Sequence, residues 1–81
     1  MKITLYKSAT CPQCKVAKTK LEQKKINFTE IYVENLSATE LDAVGVKSIP
    51  TLIIDTDSAV TKLTSIRDIS NWINKQEASN G

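Results

Sequence analysis

The chain has 81 residues, 41% of them hydrophobic and 25% charged, and a formal net charge of +2. That length predicts one small domain, and the composition excludes a disordered chain and a nucleic-acid specialist. No leader-like or membrane-length apolar run is present, so the expected setting is the cytoplasm, with no membrane and no nucleic acid as partner.

Ile3-Thr4-Leu5-Tyr6 reads as a buried strand over residues 2–6. Pro12 suits the first turn of a helix, where its missing N–H costs nothing. That helix is expected from about residue 12 to 25, with Cys14, Ala17 and Leu21 inward and Val16 at the flank. Lys15, Lys18, Lys20, Lys24 and Lys25 load it against a single Glu22. Residues 28–33, from Phe28 to Val33, have the β-branched and aromatic content of a second strand. Ser37 and Glu40 fit a capping box. The short helix behind it would turn Leu41 and Val44 inward and stop at Gly45. Residues 51–54 read as a third strand, 55–58 as a polar turn and 59–63 as a fourth strand. Asp68 is the expected cap of a last helix with Ile69, Trp72 and Ile73 as its apolar stripe. The domain then covers 1–76, and 77–81 is a frayed tail. The order β-α-β-α-β-β-α makes the first two strands parallel through a right-handed crossover. The last two form a hairpin, and three helices flank one four-stranded mixed sheet of an α/β fold.

Chemistry concentrates at Cys11-Pro12-Gln13-Cys14, between the first strand and the first helix. Two thiols spaced C-x-x-C at a helix start can close a disulfide with little backbone movement. Unpaired N–H groups and the helix dipole favour a thiolate there. Repeated oxidation and reduction is therefore the leading reading. A metal half-site is the other, but tetrahedral zinc needs four ligands. With no His and no third Cys, zinc would require a second subunit, so no metal is assigned.

The chain resembles the glutaredoxin branch of the thioredoxin-like superfamily over nearly its whole length. Three stretches carry the resemblance: Tyr6 to Cys14, Gly45-Val46-Lys47-Ser48-Ile49-Pro50, and the hairpin followed by a short Asp-capped helix. Gln13 between the cysteines is similar to the NrdH-type redoxins, where glutaredoxins usually carry Tyr. Thr64-Ser65-Ile66-Arg67-Asp68 stands where glutaredoxins have a glycine pair before an Asp, and Ser8 stands where both groups usually have a basic residue.

The resemblance implies a thioredoxin-like fold and a small dithiol–disulfide oxidoreductase. It implies no bound cofactor, a monomer, and electrons from thioredoxin reductase or glutathione. Its partners would be protein disulfides, ribonucleotide reductase among them. Cys11 would be the nucleophile and Cys14 the resolving thiol. Pro12 and Gln13 would tune the pair or meet substrate; a solvated Gln13 is the plain alternative. An X–Pro bond is trans by base rate, yet the resemblance makes Ile49–Pro50 cis, with Ser48, Ile49 and Pro50 facing an extended substrate. Lys7, Lys15 and Lys47 flank the motif as candidate contacts for a carboxylate or acidic partner, with simple exposure the alternative. Asp68 is first a cap, and second a contact for the amino group of glutathione. Classes left open are a glutathione-dependent glutaredoxin and a non-catalytic metal-bridged or redox-sensing module.

Overall fold

Alternation in β1 (Lys2–Lys7) sends Ile3 and Leu5 to one face and Thr4 and Tyr6 to the other, and all four are buried. A strand covered on both faces belongs inside a sheet. In the computed structural model, which describes residues 1–76, β1 is one of the two central strands. The residues read as a frayed tail, 77–81, lie outside the described residues.

The sheet order is β2-β1-β3-β4, with β2 spanning Thr29–Tyr32, β3 Thr51–Asp55 and β4 Val60–Leu63. β1 runs parallel to β2, with Leu5 opposite Glu30 and Lys7 opposite Tyr32. It runs antiparallel to β3, with Ile3 opposite Ile54 and Tyr6 opposite Thr51. β3 and β4 form the expected hairpin, with Leu52 opposite Leu63. Ala59 stays outside β4 because its N–H donates to Thr56 Oγ1 at 3.2 Å and its carbonyl accepts the Thr56 N–H at 2.9 Å. That closes the turn one residue later than read from sequence.

α1 (Pro12–Gln23) buries Cys14, Ala17 and Leu21, as its spacing requires, while Val16 is exposed. It ends two residues before the expected boundary. Lys25 takes φ 57, and the N–H groups of Lys25 and Ile26 turn back to the carbonyls of Glu22 and Leu21 at 3.0 and 3.1 Å. This is a Schellman stop with a lysine in the place usually held by glycine. β2 is also shorter than expected, because the 3-10 turn Val33–Asn35 follows Tyr32 directly.

α2 (Ala38–Val44) starts on the full capping box: Glu40 N–H donates to Ser37 Oγ at 3.1 Å and Ser37 N–H donates to Glu40 Oε1 at 3.0 Å. Gly45 closes it at φ 76. Val44, expected inward, is 39% exposed, and Leu41 is only half-buried. α2 lies on the Thr4–Tyr6 side of the sheet, where Val44 lines the rim of a hollow with Thr4, Tyr6 and Ile53.

α3 (Ile66–Lys75) is capped by Ser65, whose Oγ accepts the Asp68 N–H at 3.2 Å. Asp68 is therefore the third residue of the helix, not its cap. An acidic residue in the first turn still suits the dipole. α1 and α3 pack together on the Ile3–Leu5 face. The core there holds Ile3, Leu5, Ala17, Leu21, Leu52, Ile54, Ile69 and Ile73, with Trp72 half-buried at its edge. Each fully buried Leu or Ile contributes roughly 1.5–3 kcal/mol.

Candidate active site

The register gathers the chemistry at one end of the sheet. Tyr6 opposite Thr51 sets Pro50 beside the exit of β1, and Lys7 opposite Tyr32 sets the 3-10 turn on the other side. Leu63 opposite Leu52 brings Ser65 and Asp68 to the same end.

Cys11 is the N-cap of α1, with φ −94 and ψ 110. Its Sγ accepts the Cys14 N–H at 3.2 Å, taking the place a Ser or Asp oxygen usually fills. A sulfur there is held against donors that stabilise negative charge. Cys11 is half-buried, Cys14 is 0% exposed, and both thiols are free. Burial pushes the Cys14 thiol up to about 11, and hydrogen bonding to Cys11 adds to the rise. The Ser8 amide and the Lys7 ammonium oppose it. Pro12, Gln13 and Lys15 are exposed around the pair.

The loop into the motif is held by a residue that the sequence reading missed. Glu34, in the 3-10 turn, accepts the Ala9 N–H at 3.0 Å and the Ser8 hydroxyl at 3.1 Å. The Ala9 amide leads the causes that hold its carboxyl below the usual carboxylate range. Cys11 N–H then donates to Ser8 O at 3.2 Å, completing the turn. Nothing local marks Glu34, because its partners are 25 and 26 residues away.

Lys7 does not flank the site as an exposed contact. It is 5% exposed, and its Nζ donates to Glu30 Oε1 at 2.8 Å. It also stands 5.1 Å from the centre of the Tyr32 ring. The Glu30 hydrogen bond raises the Lys7 pKa, and Lys7 in turn lowers that of Glu30. Lys18 of α1 reaches the same Glu30 oxygen at 3.4 Å.

On the opposite flank, Ile49–Pro50 is cis, Pro50 is buried, and Thr51 Oγ1 donates to Ser48 O at 2.6 Å. Lys47 and Ser48 are exposed and Ile49 half-buried. With Val33, Leu41 and Val46 they line a hollow beside this segment. Asp68 is exposed, and its amide is already given to Ser65. Among the described residues, no three His, Cys, Asp or Glu side chains are grouped as a metal site would need.

A four-stranded mixed sheet with three helices, carrying a C-x-x-C pair at the first helix start, is the thioredoxin-like fold. Within that class, the glutaredoxin family model matches residues 3–59, and the chain belongs to the glutaredoxin family. It is a thiol–disulfide oxidoreductase. Among solved structures it is similar to the glutaredoxin-like NrdH-redoxin of Escherichia coli, described as having a thioredoxin-like activity profile. The two are 28% identical over 95% of this chain and 96% of that one, with a TM-score of 0.71. A thioredoxin-like protein is 26% identical over 86% and 96% of the two chains, with a TM-score of 0.64. A trimeric Leishmania glutathione transferase shares the fold at TM-score 0.74 and 20% identity; the match covers 94% of this chain and 18% of that one. No curated protein sequence matches. Among the described residues, no helix is long and apolar enough to cross a membrane.

Proposed function

We propose that this chain is a dithiol electron carrier that reduces protein disulfides through Cys11 and Cys14. The observation that carries this reading is the Cys14 N–H donated to Cys11 Sγ at the start of α1, with Cys14 fully buried behind it. Cys11 attacks one substrate sulfur as a thiolate; the second substrate sulfur leaves with the electron pair and takes a proton from water. Cys14 then loses its proton and attacks Cys11 Sγ. The Cys11–Cys14 disulfide forms, the mixed disulfide breaks, and the first substrate sulfur leaves and is protonated. The substrate disulfide has gained two electrons and the protein dithiol has lost two. Pro12, Gln13, Lys47, Ser48, Ile49, Pro50 and Asp68 form the surface that meets the substrate in this reading.

The proposed electron donor is thioredoxin reductase rather than glutathione. Three observations support it. Gln13 matches the NrdH-type pattern. Thr64 and Ser65 put side chains where a glycine pair would let the tripeptide approach, and the Ser65 hydroxyl already holds the Asp68 amide. Lys7 is committed to Glu30 and is not free for a ligand carboxylate. Each lost hydrogen bond costs roughly 0.5–1.5 kcal/mol, so two or three lower affinity by about tenfold or more. Ribonucleotide reductase is the proposed target, with the protein acting as a cytoplasmic monomer. Family membership favours one second reading, a glutathione-dependent glutaredoxin. NADPH-coupled assays with thioredoxin reductase, and separately with glutathione and its reductase, decide between them. Equal rates at physiological glutathione would overturn the choice of donor.

A further inference from the structure

A buried lysine is expensive in a domain this small. Taking an ammonium out of water costs several kcal/mol unless it is paired. Lys7 is nevertheless the one lysine buried among the described residues. Its position gives the reason. Lys7 is the last residue of β1, one residue before Ser8, and it shares the face of Ile3 and Leu5. That face is covered by α1, whose buried side begins with Cys14. Lys18 lies one helical turn beyond Cys14 and shares Glu30 with Lys7, at 3.4 and 2.8 Å. The cluster thus ties β1, β2 and α1 together on the side where Cys14 is buried. Its two ammoniums share one carboxylate, so it carries a net charge of +1.

We propose that the Lys7–Glu30–Lys18 cluster is a positioning device for the second half of the exchange: its net positive charge stabilises the thiolate of Cys14 as that sulfur attacks the mixed disulfide. Glu30 sets the strength of this effect by cancelling one of the two charges. The inference rests on the reading of Cys14 as the resolving thiol.

The chemistry of the intermediate sharpens the point. Burial opposes ionisation of Cys14, and in the free dithiol Cys11 opposes it further. In the mixed disulfide, Cys11 has neither a thiol proton nor a charge, so its contribution disappears. Of the groups acting on Cys14, Lys7 is then the one that carries a charge, assisted by the Ser8 amide. In the step itself, the Cys14 proton passes to water and the thiolate pair forms the bond to Cys11 Sγ. The substrate sulfur departs with the pair of the broken bond. No further oxidant or reductant enters.

The test uses the reduced protein and 5,5′-dithiobis(2-nitrobenzoate) in stopped flow, from about pH 6 to about pH 9. The first thionitrobenzoate released reports attack by Cys11, and the second reports resolution by Cys14. Lys7→Met is expected to slow the second release about threefold at neutral pH and to move its pH profile up by about half a unit. Lys7→Arg should restore most of the rate. Lys18→Gln should move the profile the same way by less; Lys18 is 38% exposed, so this variant also serves if Lys7→Met folds poorly. Glu30→Gln should move it down, because the cluster charge rises to +2. A merely structural role would shift none of these profiles and would slow the second release in Lys18→Gln and Glu30→Gln alike. Unshifted profiles, or slowing in both of these variants, overturn the inference and leave the dithiol mechanism standing. Absence of any second release from the unaltered protein would instead overturn the resolving role of Cys14.

Discussion

Removing either partner of the Lys7–Glu30 pair destabilises the fold, but by unequal amounts. Breaking a fully buried pair by deleting one member costs about 3–5 kcal/mol, because the other charge is left without compensation. The two side chains differ in exposure, at 6% for Lys7 and 32% for Glu30. After Lys7→Met, the Glu30 carboxylate still reaches water and keeps Lys18 at 3.4 Å. Its penalty is discounted accordingly, to about 1–2 kcal/mol. After Glu30→Gln, the Lys7 ammonium stays buried with an amide oxygen and the Tyr32 ring, so the loss is about 2–4 kcal/mol. Urea denaturation of both single variants and the double variant measures this. The expected order is Glu30→Gln worse than Lys7→Met, with a coupling of about 1–2 kcal/mol in the cycle. The pH dependence has a defined sign. Glu30 titrates below its ordinary 4.5, so its contribution is full above that value and is lost as pH falls through the lowered one. Lys7 titrates above its ordinary 10.5, so its contribution is full below that value and is lost as pH rises through the raised one. Between these limits the coupling is flat. A larger loss from Lys7→Met, or a coupling that vanishes at neutral pH, would refute the reasoning.

Cys14→Ser should accumulate mixed disulfides through Cys11, and Cys11→Ser should abolish reduction; mass spectrometry after incubation with a protein disulfide reads both. Gly45→Ala should cost about 1–2 kcal/mol in urea, because Gly45 holds φ 76, a left-handed conformation that a Cβ strains, while the exposed Lys62 ammonium beside it can swing away. Glu34→Gln should slow disulfide reduction severalfold with little change in melting temperature, since it loosens the Ser8–Cys11 turn without touching the core. In the unaltered protein, the same clamp is present above the ordinary carboxylate pKa and is lost as pH falls through the lowered Glu34 value, and amide exchange at Ala9 follows it.

The signals legible along the chain were those acting within about one helical turn. Pro12 after Cys11, the Ser37–Glu40 box, Gly45 and the Cys14–Ala17–Leu21 spacing each bias backbone or burial locally, and the elements they mark are present. Local reading erred where neighbours compete. Asp68 was a plausible cap until Ser65 took that place, and Lys25 ended α1 by adopting a conformation no lysine advertises. Val44 had the right spacing to face inward, but how far α2 covers the sheet is decided by packing beyond its own sequence. The support of the site was not legible at all. Lys7 meets Glu30 across 23 residues, and Glu34 reaches the motif loop across 26. Both depend on the parallel register of β1 and β2. A one-residue slip there would turn Glu30 to the other face of the sheet. Sequence alone thus determined where the thiols lie and which chemistry is proposed for them, since that follows from residue type and spacing. Only the tertiary structure decided which charges surround them, because an ion pair forms between side chains that strand pairing brings together, whatever their distance along the chain.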